Sequence, residues 1–184
     1  MFADYVTTIK KLGLERDNNN EKSNSIPISN FFYLQERGSN KMAAEYTALA
    51  QQTVAVNQNV PLTETAIDNS RCITHRQGSG LVTLSSPSNK CCSAQYKVTA
   101  YANIAVPTTG TAGAISLALG VNGEALGSTI STVTPTATEA FFNVALGAII
   151  CVPGNGCCVQ VSLKNASTQD ILVQNANFIV ERIA

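Results

Sequence analysis

The chain has 184 residues, with 12 Lys and Arg balanced by 12 Asp and Glu, so its formal net charge is zero. That balance argues against a nucleic-acid partner, which calls for a basic face. No run of 18 or more apolar residues occurs, and the start MFADYVTTIKKLGLERDNNN lacks the basic-then-apolar order of a signal peptide, so neither a membrane-spanning helix nor secretion is expected. The charges are unevenly placed: residues 1 to 42 carry 11 of the 24, and between Lys97 and Lys164 the charged residues are Glu124 and Glu139 alone. A soluble surface ordinarily carries about a quarter charged residues. A stretch of 66 residues with two charges therefore implies surface hidden against copies of the chain or against a larger particle.

At the N-terminus, Phe2, Tyr5, Val6, Ile9 and Leu12 recur at helical spacing as one apolar stripe that Gly13 ends. A helix this short is marginal alone. An Asn-rich stretch follows, then a second apolar knot around Phe31, Phe32 and Tyr33, then ERGSNK. The segment MAAEYTALA that follows reads as a short helix or helical linker. Short docking pieces between polar connectors cannot bury a core of their own. Residues 1–49 are thus expected to form an irregular or short-helical arm, with Phe2, Tyr5, Ile9, Leu12, Phe31, Phe32 and Tyr33 as its anchoring contacts.

From Gln51 the pattern changes to period two, the signature of strands. Strands are expected over Thr53–Val60, Arg71–Arg76 and Gly80–Leu84, and the longest over Ala94–Val106, where Tyr96, Val98, Ala100, Ala102 and Ile104 alternate with polar residues. Ala114–Val121 runs into Asn122-Gly123, a strong hairpin signal because both central residues of a type I′ turn need positive φ. The return strand is expected over Ala125–Thr134, followed by Thr138–Ile150, a turn at Pro153–Gly156, Cys157–Lys164 and Asp170–Ile183. Eight to ten strands without a helix among them predict an all-β sandwich or jelly roll over residues 50–184.

Chemistry-bearing motifs are sparse. The six cysteines include two adjacent pairs, Cys91-Cys92 and Cys157-Cys158, and neighbouring strand residues point to opposite faces, so neither pair aims two ligands at one point. The single histidine, His75, has Cys72 three residues away and no acid nearby, which is neither a zinc pattern nor a nucleophile with its base. The seven acids among residues 43–184 are scattered singly, which suits neither paired catalytic carboxylates nor calcium. Gly110–Gly113 and Gly154–Gly156 are turns without the following helix and Lys of a phosphate loop. No catalytic residue, metal or cofactor is expected, and the chain is not expected to be an enzyme. Asn165-Ala166-Ser167 matches a glycosylation acceptor, a pattern short enough to arise by chance.

A long Tyr-bearing strand, the SLALGVNGEALGST hairpin, a Phe-Asn-Val strand, a Val-Gln-Val-Ser-Leu strand and a terminal Glu181-Arg182-Ile183 together resemble the trimeric jelly roll of the tumour necrosis factor and complement q-head superfamily. The likeness is to its phage, prophage and spore-surface versions in clostridial bacteria in particular. An arm followed by such a domain is similar in layout to phage head fibres and capsid decoration proteins. The resemblance implies a homotrimer on the virion surface, made in the bacterial host cytoplasm, whose arm binds a major capsid protein or another virion component. It makes the aromatics Tyr101, Phe141, Phe142 and Phe178 candidates for the threefold interface, with one of Phe141 and Phe142 facing the core and the other outward. A receptor-binding or carbohydrate-binding tip of a tail fibre, or a spore-surface trimer, is the alternative. Its contacts, a host-surface glycan among them, would fall on the loops Pro87–Lys90, Pro107–Gly113 and Gln169–Asp170.

Overall fold

The computed structural model of the chain describes residues 42–68, 70–86, 94–154 and 158–184. The anchoring candidates Phe2, Tyr5, Ile9, Leu12, Phe31, Phe32 and Tyr33, the loop Pro87–Lys90, and Cys91, Cys92 and Cys157 lie outside them.

The described residues form twelve strands: β1 (Ala43–Ala48), β2 (Gln52–Val54), β3 (Glu64–Asp68), β4 (Ile73–His75), β5 (Val82–Leu84), β6 (Ala94–Ala105), β7 (Ile115–Val121), β8 (Glu124–Ala125), β9 (Ser131–Val133), β10 (Phe142–Val152), β11 (Val159–Asn165) and β12 (Ile171–Arg182). They make two antiparallel sheets. The first has the order β10-β6-β12-β1-β3, with β2 also on β12, and the second has the order β4-β5-β11-β7-β8, with β9 also on β7. In the first sheet β10-β6-β12-β1, and in the second β11 with both β5 and β7, are neighbours distant in sequence, as in a jelly roll, and the all-β sandwich read from the sequence is the fold observed.

Period two places the core between the sheets. The first sheet contributes the row Tyr46, Phe178, Ala100 and Leu146, in register across β1, β12, β6 and β10 and buried throughout. The Phe178 ring stands between the Tyr46 ring and Ala100, so two bulky side chains share the row with a small one. The second sheet answers with aliphatic chains, among them Ile73, Leu84, Ile115, Leu117, Leu119 and Leu163, all at most 1% exposed.

Two predictions along the chain are corrected here. Ala43–Ala48 is not helical: it is strand β1, paired with both β12 and β3. Ala44, Tyr46 and Ala48 are buried while Ala43, Glu45 and Thr47 are only partly so, and burial of the Tyr46 ring outweighs the helix preference of alanine and glutamate. The sandwich therefore takes in residues that the sequence placed in the arm. The first expected strand ends at Val54 rather than Val60, because Gln58 N–H donates to Ala55 O (3.0 Å) and Asn57 has φ 62°, a turn conformation that Asn tolerates.

The hairpin at Asn122-Gly123 has positive φ at both residues, 51° and 91°. Its return strand is broken into β8, a 3₁₀ turn at Gly127–Thr129 and β9. In the gap, Thr129 Oγ1 takes over the ladder: it accepts from Leu119 N (2.9 Å) and donates to Leu126 O (2.8 Å). In β12 a register shift between Gln174 and Asn177, with Asn175 at φ 51°, lets one strand pair with β2 before it and β1 after it.

One buried polar side chain ties the crossovers together. Asn165, fully buried, donates through Nδ2 to Val54 O, Ala55 O and Gln169 O (3.0, 3.1 and 3.0 Å), and its Oδ1 accepts from Ser167 N (2.8 Å). The side chain that matched a glycosylation acceptor is thus a structural clasp, closed to a glycan in the folded chain.

Candidate functional site: the outward face of the first sheet

The residues of the first sheet that alternate with its core rows form its outward face, and strand register lays them out in lines. Gly147, Thr99, Ile179, Glu45 and Ile67 make one row across β10, β6, β12, β1 and β3. Ala145, Tyr101, Asn177, Thr47 and Glu64 make the next, and Ile149, Lys97, Glu181 and Ala43 flank the first on its other side. On β10 this face is therefore Ala145, Gly147 and Ile149, and on β6 it is Thr99 and Tyr101 above Lys97. Charge is confined to the β1–β3 side and to the Lys97–Glu181 pair, whose Nζ and Oε2 are 3.7 Å apart with both side chains about half exposed. Such a pair contributes little to stability. Asn177 Nδ2 donates to Glu45 Oε1 (2.6 Å), which holds that carboxylate over the seam between β1 and β12.

Between these charges lies a strip of small and apolar groups. Ile149 is 64% exposed, Ala145 and Gly147 are exposed, and Tyr101 stands half-buried beside them. A methyl group added at Gly147 would meet nothing nearer than Val98 O at 3.6 Å, so the strip is open on its solvent side.

Tyr101 is thus on the outward face, as an interface candidate must be. Phe178 is not: it is fully buried between Tyr46 and Ala100, because its position in β12 has the phase of Ala176 and Val180, which also point inward. Neither Phe141 nor Phe142 is buried in the core. Phe142 has the inward phase, opposite Ile104, yet as the first residue of β10 it is 41% exposed, and Phe141 precedes the strand, half-buried. Neither is placed on the outward face by its strand phase. The residues that sequence reasoning missed are Ile149, Gly147, Ala145 and Thr99. Their signal was the alternate phase of Val144, Leu146 and Ile150, which turns Ile149 outward.

His75 is engaged in packing. Its ring lies 4.5 Å from that of Tyr46, and its Nε2 hydrogen-bonds with Ser79 O (2.9 Å). Burial, with Asp68 adding to it, pushes the Tyr46 hydroxyl up to about 12. Tyr96 donates to Ser85 O (2.7 Å), and burial, with the neighbouring Cys72 adding to it, likewise pushes its hydroxyl up to about 12. Two of the predicted tip loops meet: Gln169 mimics a strand partner for Thr111, accepting from its N–H (3.1 Å) and donating to its carbonyl (2.9 Å).

No protein-family model and no curated protein matches the chain. Solved structures do. The chain is similar to the globular domain of zebrafish complement 1qA protein, at 13% identity and a TM-score of 0.52, over 79% of this chain and 98% of that one. It is similar to murine APRIL at 7% identity and a TM-score of 0.51, over 78% and 100%. It is also similar to Eiger TNF from S. frugiperda, at 12% identity and a TM-score of 0.54, over 78% and 93%. With the strand order above, these likenesses give the chain the jelly-roll fold of the tumour necrosis factor and complement q-head domains.

Proposed function

We propose that the chain is a structural protein that closes into a homotrimer through the outward face of its first sheet, and that it serves as a head fibre or decoration protein on a phage capsid. The observation that carries the trimer is the strip of exposed Ala145, Gly147 and Ile149 beside half-buried Thr99 and Tyr101, free of charge across two long paired strands. A ring of three copies needs a surface that is flat, apolar at its centre and charged at its rim, and Lys97, Glu181 and Glu45 supply the rim. The small residues let backbones approach, and Tyr101 gives an aromatic anchor.

The virion reading is supported by the layout of the sequence, a charged arm with short apolar pieces ahead of the jelly roll. The arm would hold the capsid or another particle component, and the domain would project from it without catalytic work. Because β1 belongs to the sandwich, a deletion that spares the fold ends at residue 41. Phage lysates in which the chain lacks residues 1–41 should yield particles without it, and antibody labelling of intact virions should decorate heads. Labelling of tail ends would move the protein to the tail-fibre reading.

A further inference from the structure

The second sheet carries an open groove of about 370 Å³ on its outward side, where β4, β5 and β11 lie together. Its floor is a polar row in strict register, Thr74 on β4, Thr83 on β5 and Gln160 on β11. These residues alternate with the buried Ile73, Val82, Leu84, Val159 and Val161, so their side chains point to solvent. Leu81 adds a half-exposed apolar patch, and Arg76 and Ser79 complete the wall.

Three features mark this groove as a built surface. The turn that bears Arg76 is fastened on every side: Ser79 N donates to Arg76 O (2.8 Å), Gly78 N to Leu62 O (2.7 Å), Leu62 N to Ser79 O (3.0 Å), and Gln77 Nε2 to Thr63 O (2.6 Å). His75 adds its own bond to Ser79 O. Gly80 brings the turn so close to Asn59 and Val60 that an added methyl would stand 2.6 Å from Asn59 Cβ. The polar groups facing the groove are unspent: among the described residues, the side chains of Thr74, Thr83, Gln160 and Arg76 have no hydrogen-bond or ion-pair partner. And Arg76 is the one Lys, Arg, Asp or Glu in the lining, so the fixed charge that the groove itself carries is a guanidinium.

We infer that this groove binds a carboxylated sugar. A guanidinium fork matches a carboxylate with two parallel hydrogen bonds, and its geometry is lost with lysine. Hydroxyl and amide groups repeating at the strand spacing of about 4.8 Å suit the hydroxyls around a pyranose ring. Leu81 offers a patch for its C–H face. The groove has no aromatic platform, so a single site is weak, and it lies on the sheet opposite the face assigned to the trimer, which would present three grooves at once. Binding by one chain does not depend on that assembly.

The test uses the full-length protein, titrated with glucuronate and N-acetylneuraminate, with glucose and inorganic sulfate as comparators, followed by NMR or calorimetry. Saturable binding of at least one carboxylated sugar is expected, with glucose and sulfate at least about tenfold weaker. Arg76→Ala should weaken the carboxylated sugar about tenfold or more, as expected for a lost hydrogen bond to a charged group, and Arg76→Lys should not restore it. Thr83→Val should weaken it a few-fold, and all three variants should melt with the wild type. Failure of both carboxylated sugars to bind, equal binding of glucose or sulfate, or an Arg76→Ala variant that binds like wild type would overturn the inference.

Discussion

Along β7 and the part of β11 beside it, the outward face of the second sheet is finished by its own chain, whereas the first sheet is left open over β6 and β10 among the described residues. Lys164, paired with Ala118, sends its Nζ to Gly123 O at the hairpin tip (2.6 Å), so its stem crosses the row of Ser162 and Gly120. Ala118 is fully buried and Ser162 is 1% exposed, although both have the outward phase. The corresponding stretch of the first sheet, Ala145 to Ile149 beside Thr99 and Tyr101, has no such cover among the described residues, and Ile149 is 64% exposed. Both stretches belong to the charge-poor part of the sequence. Scarcity of charge therefore accompanies two different surfaces in one chain: self-covered surface in β7 and β11, and uncovered surface in β6 and β10, which the proposed function assigns to self-assembly.

Substitutions should separate the two sheets. The largest effect is expected at the clasp: Asn165→Ala removes the buried amide from Val54 O, Ala55 O, Gln169 O and the Ser167 N–H, leaving Ala55 O with Gln58 N, and should cost about 3 kcal/mol in denaturant unfolding. Gly120→Ala would press a methyl against Ser162 Oγ inside the finished surface, with an expected loss of about 2 kcal/mol. The matching change on the open sheet, Gly147→Ala, meets ordinary contact distance and should hold or slightly raise stability, by about 0.5 kcal/mol. Equal losses at the two glycines would erase the contrast.

The smallest effect concerns pH. Tyr46 and Tyr96 are raised to about 12 in the folded chain, above the ordinary value of 10.0, so the folded state holds protons that the unfolded state has released. Their contribution is fully present below pH 10 and is lost as pH climbs from 10 to 12. Unfolding followed by circular dichroism, with tyrosinate absorbance alongside, should show stability falling over that window. Phe substitution of Tyr96 should flatten part of the slope.

Much of the fold was legible in the sequence, and the exceptions have physical causes. β6 alternates over most of its length because one of its faces is core, and Asn122-Gly123 announces its turn through backbone sterics. β3 is exposed at every residue, so no buried face left a period-two signal at Glu64–Asp68. β1 was hidden by alanine and glutamate, whose local preference is helical, and its strand character comes from β12 and β3, partners distant in sequence. The proposed assembly face was half legible: the charge count pointed to the block between Lys97 and Lys164, which holds β7 and most of β11 as well as β10, and choosing among the aromatics required the phase of each strand, which put Phe178 inside and Tyr101 outside. The groove left no motif, since Arg76, Thr83 and Gln160 meet only through the pairing of β4, β5 and β11.

The most direct test of the open sheet is the mass of the full-length protein in solution, by light scattering after size exclusion, for wild type and for Gly147→Glu. Wild type should have three times the 19.4 kDa of one chain. The variant places a carboxylate at the centre of the face and should run as a folded monomer with unchanged circular dichroism. A monomeric wild type, or a Gly147→Glu trimer as stable as wild type, would contradict the assignment of this face to self-assembly.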